Sequence, residues 1–259
     1  MAEKETKNKP KDLIEAVPEE IQKLGDDGSI AAEAQVEVSP EEHARATRVA
    51  AWSPKTQIGK DVKNGKETSI DSILDSRKKI LEPEIVDSLL KLESDLILIG
   101  QAKGKFGGGK RRAWRQTQRK TMEGNVVSFS AMVVVGDKHG HVGVGLGKGK
   151  ETMPAREKAN REARLSIRRI ELGCGHFDCS CSEKHSIPFI VEGKCGSVRV
   201  KLMPAPQGTG LVVGDQLKKL LRLAGVKDVY GVSEGQTRTT FNSVKACFDA
   251  LLKTTEMKR

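Results

Sequence analysis

Cys174, Cys179, Cys181 and His185 follow one another as C-x4-C-x-C-x3-H. Three thiols and an imidazole are the donor set of a closed tetrahedral zinc site. Four protein ligands leave no open position for catalysis, so a metal held there is structural. His176 is the competing imidazole in the same stretch. Residues 171–186 carry few apolar side chains, and a metal would supply the staple that a core cannot. The competing readings are free thiols in a mobile loop, or an adaptor surface for another protein. Cys–His catalysis lacks an orienting group recognisable in the sequence. Cys195 and Cys247 read as ordinary strand and helix residues.

A second stretch has phosphate chemistry. Leu96 to Ile99 is an apolar run, and GKFGGGKRR follows from Gly104 to Arg112. Gly104, Gly109 and Lys110 match the spacing of a nucleotide phosphate loop. Such a loop needs a hydroxyl after its lysine to hold magnesium, and Arg111 stands there. The glycines at 143 and 145 miss the dinucleotide pattern because Lys148 occupies the third position. The same atoms suit a nucleic-acid backbone better. Between 101 and 122 stand Lys103, Lys105, Lys110, Arg111, Arg112, Arg115, Arg119 and Lys120, with no acidic residue. Guanidinium forks match phosphate oxygens, and glycines let the backbone approach them. Trp114 and Phe106 offer rings for a splayed base. Lys148, Lys150 and a helix face with Arg156, Lys158, Arg161, Arg164 and Arg168 add a second basic surface.

Composition points the same way. The 259 residues carry a net charge of +10 and only 3% aromatics. That balance suits a polyanion gripped through its phosphates. Residues 1–42 hold twelve acids against five lysines, so the remaining 217 residues carry +17. The acidic segment is predicted to be a mobile arm. No long apolar run suggests a membrane span, and the N-terminus has no secretory pattern. An odd cysteine count with three clustered argues for a reducing, cytoplasmic setting.

These groups must be positioned by α/β elements. Apolar spacing predicts helix over 69–92, with Pro83 in a first turn. Residues 126–135 read as a strand, GDKHG as a five-residue hairpin loop and HVGVGL as the partner strand. A helix from Pro154 to near Ile170 has Ala155, Ala159, Ala163 and Ile167 on one narrow face. IPFIV and SVRVKL read as strands, PAPQGTG as a loop, and Leu217–Leu223 as a helix closed by Gly225. Val229–Val232 is a short strand, and a last amphipathic helix has Asn242 as a candidate N-cap.

Four segments together carry a family resemblance: SFSAMVVVGDKHGHVGVGLGKGKE, PAREKANREAR, VRVKLMPAPQGTGLVVGDQLKKLLRLAGVKDV and NSVKACFDALL. In this order they resemble the universal ribosomal small-subunit protein S-five family (S-two in eukaryotes), over about residues 94–253. The cysteine insertion and acidic arm look like its archaeal branch. The resemblance implies an α+β fold, with a double-stranded-RNA-binding-like α/β domain at 94–170 and a βαβ-type two-layer domain at 187–253. A zinc-binding connector at 171–186 joins them. A helical extension at 43–93 precedes them, after the arm at 1–42, and a tail at 254–259 follows. It also implies a non-enzymatic constituent of the small ribosomal subunit with no small-molecule substrate. That constituent binds small-subunit rRNA and touches the neighbouring proteins S-four and S-eight. It lies by the channel through which mRNA enters, and supports decoding accuracy and mRNA unwinding. Arg115, Arg119 and Lys120 match the basic stretch ahead of the family's first hairpin. Gly124 matches a loop glycine, but the bacterial K-G-G-R is here Met122-Glu123-Gly124-Asn125.

Overall fold

The computed structural model describes residues 47–256 apart from 77, 103–110 and 182. The acidic arm and GKFGGGK, with Lys103, Lys105, Phe106 and Lys110, therefore lie outside the described residues. In chain order the elements are α1 (Gln57–Lys63), α2 (Ile70–Asp75), α3 (Pro83–Leu89), β1 (Glu93–Leu96), β2 (Trp114–Thr121) and β3 (Gly124–Gly136). Then come β4 (His141–Gly149), α4 (Thr152–Leu165), β5 (Arg168–Arg169), β6 (Val191–Cys195) and β7 (Val198–Pro204). Last are β8 (Leu211–Val212), α5 (Asp215–Ala224), β9 (Val229–Glu234) and α6 (Thr240–Glu256).

A strand as continuously apolar as β3 needs cover on both faces. Ala131, Val133 and Val135 cluster with Ala155, Ala159 and Ala163 of α4. Met132 and Val134, the alternate residues, join a core that also contains Val200, Leu202, Leu220, Leu221 and Leu251 from the C-terminal elements. The two sheets thus share one hydrophobic cluster. The first sheet is antiparallel, ordered β1-β3-β4-β5, with β2 also paired to β3. The second is ordered β6-β7-β9-β8, with β8 parallel to β9 and α5 connecting them.

Glycine sets the depth of the α4–β4 contact. A Cβ on Gly145 would lie 2.1 Å from the Ala159 carbonyl oxygen, and one on Gly147 would lie 2.0 Å from that of Ala155. Helix backbone therefore rests directly on strand backbone. The second sheet repeats the device, since a Cβ on Gly193 would stand 2.1 Å from the Ala246 carbonyl of α6.

Several predicted boundaries move for identifiable reasons. The 69–92 region is two helices, because the residue before Pro83 is extended (Glu82, φ −116°, ψ 120°), as proline requires of its neighbour. The hairpin loop is residues 137–140, as β3 keeps Gly136 paired with Val142. The Pro154 helix begins at Thr152 and stops at Leu165. The Ser166 hydroxyl bonds the carbonyls of Val144 and Ala163, hooking the chain end onto β4. Arg168 consequently lies on β5, off the predicted arginine face. Arg164 is also removed from that face, paired at 3.2 Å with the buried Asp87. IPFIV contributes only Val191 to a strand. Asn242 lies inside α6 rather than at its cap, its N–H bonded to the Thr239 carbonyl. Gly225 does close α5, in the left-handed region at φ 91°.

Candidate nucleic-acid interface and metal centre

The basic run predicted as a glycine-rich loop is, from Trp114 onward, strand β2. This removes the nucleotide reading, since a phosphate loop opens onto a helix N-terminus. β2 pairs with residues 124–131 of β3, while β4 reaches only as far as Phe129. The far parts of β2 and β3 therefore project as a two-stranded ribbon. Arg119 and Lys120 are exposed along it, Arg115 is exposed just before its base, and Met122 is fully exposed at its tip. Charged and polar side chains fill both faces of β2, so no alternation marked it as a strand.

Register brings predicted cations together. Arg115 and Lys148 both stand opposite Ser130, on the strands flanking it. They share one sheet face about 10 Å apart, two strand spacings. Lys150 is exposed just beyond β4. Arg111 and Arg112 are exposed where the chain enters β2, and Arg111 forms a bridge with Ala102. These two arginines and Arg115 line an open cleft of about 950 Å³ with Trp114 and Phe241. Arg238, just before α6, lines it too. No local pattern singles out Arg238, which stands alone in a polar stretch more than a hundred residues from the others.

The cysteine segment folds into a tight donor cluster. The ligand atoms of Cys174, Cys179, Cys181 and His185 all lie within 4.8 Å of one another. His185 Nε2 is 3.1 Å from the Cys181 sulfur and 3.4 Å from that of Cys179. Tetrahedral zinc with ordinary bond lengths sets nitrogen and sulfur about 3.5 Å apart, close to these two separations, so the four donors could hold such an ion. His176 is outside the set, and its Nδ1 accepts from the Asp178 N–H at 3.2 Å. Among the described residues, His185 is the imidazole of the cluster. Hydrogen bonding with Cys181, then with the Gln207 backbone, holds the Cys179 thiol down to about 6. The same pairing with Cys179 pushes Cys181 up to about 12. Cys247 is fully buried in α6, and burial pushes it up to about 12, as an inert packing residue should be.

Asp228 was missed by sequence reasoning. Its Oδ2 lies 2.8 Å from His185 Nδ1, and both side chains are nearly inaccessible. The pair is 43 residues apart, so no spacing pattern could reveal it. Four convergent soft donors favour a metal over a Cys–His–Asp nucleophile, which would leave two further thiols unexplained.

No helix among the described residues is long and apolar enough to cross a membrane. Comparison with known proteins gives two family matches: the ribosomal protein S5 N-terminal domain over residues 113–171, and its C-terminal domain over 193–259. The chain is 49% identical over 208 residues to the small ribosomal subunit protein uS5 of Nanoarchaeum equitans, covering 80% of this chain and 89% of that one. The uS5 of Pyrobaculum calidifontis is 47% identical, covering 78% and 94%. That of Methanococcus maripaludis is 46% identical, covering 78% and 83%. Proteins of the small ribosomal subunit are structural constituents, not enzymes, and they work in the cytoplasm. With this identity over most of its length, the chain belongs to the ribosomal protein S5 family.

Proposed function

We propose that the chain is a structural constituent of the small ribosomal subunit that holds small-subunit rRNA through its basic ribbon and cleft. The observation that carries this is the gathering of Arg111, Arg112, Arg115 and Arg238 around one open cleft beside Trp114. Lys148 shares a sheet face with Arg115, Lys150 lies just beyond, and Arg119 and Lys120 extend the charge along the ribbon. Lys103, Lys105 and Lys110 belong to the same proposed surface by sequence alone. In this reading residues 94–170 form the RNA-binding domain, similar to the double-stranded-RNA-binding fold. Residues 171–186 form the metal connector and 187–253 the second α/β domain, between the extension at 43–93 and the tail at 254–259.

The family resemblance extends the proposal to S-four and S-eight as neighbours. It also extends it to a position by the channel where mRNA enters, with effects on decoding accuracy and unwinding. Replacing Arg111, Arg112 and Arg115 by Ala is expected to weaken rRNA binding and lower the slope of log affinity against log salt by roughly two to three. Unchanged affinity and slope would place the RNA surface elsewhere. A structured-mRNA unwinding assay on subunits carrying the same variant tests the channel position.

The second part of the reading is structural zinc on Cys174, Cys179, Cys181 and His185. Its support is the convergence of the four donors and the S–N separations. When bound, the ion would cross-link the connector and supply no reactive chemistry. Protein purified without chelator should hold about one equivalent of zinc by elemental analysis. Less than about a tenth would rule out a tightly held site.

A further inference from the structure

His185 is fixed from behind by Asp228, which also reaches a loop from the second sheet. Asp228 uses both carboxylate oxygens. Oδ2 meets His185 Nδ1 at 2.8 Å, and Oδ1 accepts from the Gly210 N–H at 2.7 Å. The backbone ties run in parallel. The N–H groups of Lys227 and Asp228 both donate to the His185 carbonyl, at 2.8 and 3.2 Å. The Ser186 hydroxyl donates to the Asp228 carbonyl at 2.5 Å. At the other end of the segment, the Ala205 N–H donates to the Ser186 hydroxyl, next to His185, at 3.4 Å. The segment between β7 and β8 is thus attached at two places to the residues around His185.

Beyond the buried Ala205, the segment is otherwise held by turn bonds from Thr209 to the Pro206 carbonyl and by the Val229 N–H, which donates to the Gly210 carbonyl at 3.2 Å. Gly208 and Gly210 are in the left-handed region, at φ 89° and 74°, and a Cβ at either would meet nothing within 4 Å. No neighbour crowds either glycine, so hydrogen bonds rather than side-chain packing fix the turn there. An imidazole that gives Nδ1 to a carboxylate presents Nε2 to a metal in a fixed tautomer and direction.

Resting on the zinc reading, we propose that Asp228 is the positioning residue of the metal centre. Through it, a bound ion fixes the conformation of residues 206–210, between the buried Ala205 and β8. The metal then orders part of the C-terminal unit as well as the connector that carries its ligands.

The test uses the full chain, with Zn²⁺ and Co²⁺ as the probes. Asp228→Asn keeps the side-chain volume but has one acceptor oxygen, so it cannot serve both His185 and Gly210. It should still bind one Co²⁺ with thiolate charge-transfer absorption, while chelator competition shows affinity weakened about tenfold to a hundredfold. In the wild type, removing the metal should raise hydrogen exchange at the Gly210 amide by at least about tenfold, relative to β7. Wild-type affinity in Asp228→Asn, or exchange indifferent to metal, would overturn the proposal and leave the zinc reading intact. A wild type that takes up neither ion would overturn both. Should Asp228→Asn fail to fold, the wild-type exchange comparison decides alone.

Discussion

Nε2 of His141 lies 3.0 Å from Oδ1 of Asp71, while its Nδ1 lies 2.6 Å from Asp137. The imidazole thereby joins α2 of the N-terminal extension to the β3–β4 hairpin. Burial works against the charged imidazole, but the hydrogen bonds to Asp137 and Asp71 outweigh it and raise its pKa above 6.5. Burial likewise opposes ionisation of Asp137, and the bonds from His141 and His139 prevail and lower its pKa below 3.8. The histidine contribution is complete below about pH 6.5 and is lost as pH rises through the raised folded value. The Asp137 contribution is present above the normal aspartate value and is lost as pH falls through the lowered one.

His141→Ala should therefore cost about 1–2 kcal/mol near pH 6, as expected for charge-assisted hydrogen bonds, and less at pH 9. Urea unfolding of both proteins across that range measures it. A difference that grows with pH would contradict the assignment.

Gly145→Ala should destabilise the fold by about 1–3 kcal/mol or prevent folding, since the added methyl would strike the Ala159 carbonyl 2.1 Å away. Gly214→Ser makes the contrast. Gly214 caps α5 in an extended conformation (φ −60°, ψ 145°), and a Cβ there meets open space. A serine hydroxyl can accept from the first helical N–H groups, so this change should raise stability by a few tenths of a kcal/mol. Thermal melts of the two variants give opposite signs.

Arg238→Ala should reduce the salt slope of rRNA binding by about one and leave the melting temperature unchanged, because the side chain is exposed on the cleft wall. Filter binding at several salt concentrations reads the slope. A full slope with the variant would detach Arg238 from the RNA surface.

Thiol reactivity should follow the cysteine environments. At pH 7 in metal-free protein, Cys179, held at about 6, should alkylate first. Cys247, pushed up to about 12 inside the core, should remain unmodified until the protein unfolds. Peptide mass spectrometry after brief iodoacetamide treatment ranks the sites, and prior zinc loading should protect Cys174, Cys179 and Cys181 together.

What could be read from the sequence was what local pattern decides. β3 was legible from its β-branched run, the end of α5 from Gly225, and the grouping of Cys174, Cys179, Cys181 and His185 from their spacing. β2 was not, because Trp-Arg-Gln-Thr-Gln-Arg-Lys-Thr has no apolar face and becomes a strand only by pairing with β3. The stop of α4 depends on Ser166 finding Val144 across the sheet, a contact with no local signature. Asp228 and Arg238 were invisible for the same reason. Each acquires its role from a partner far away in sequence.

The core shared by the two sheets bears on how the chain can be divided. Met132 and Val134 are covered by residues that come from beyond the connector, and those residues are covered in turn. Lys219 reaches back to Asp95 and the Leu96 carbonyl, both at 2.8 Å, and Gln216 accepts from Leu98. The two matched family segments are therefore separable as stretches of sequence but not as folding units. Excising either one would open the larger core to water. The intact chain should lose both sheets in one cooperative transition, and a proteolytic cut in the connector should leave two fragments that stay associated.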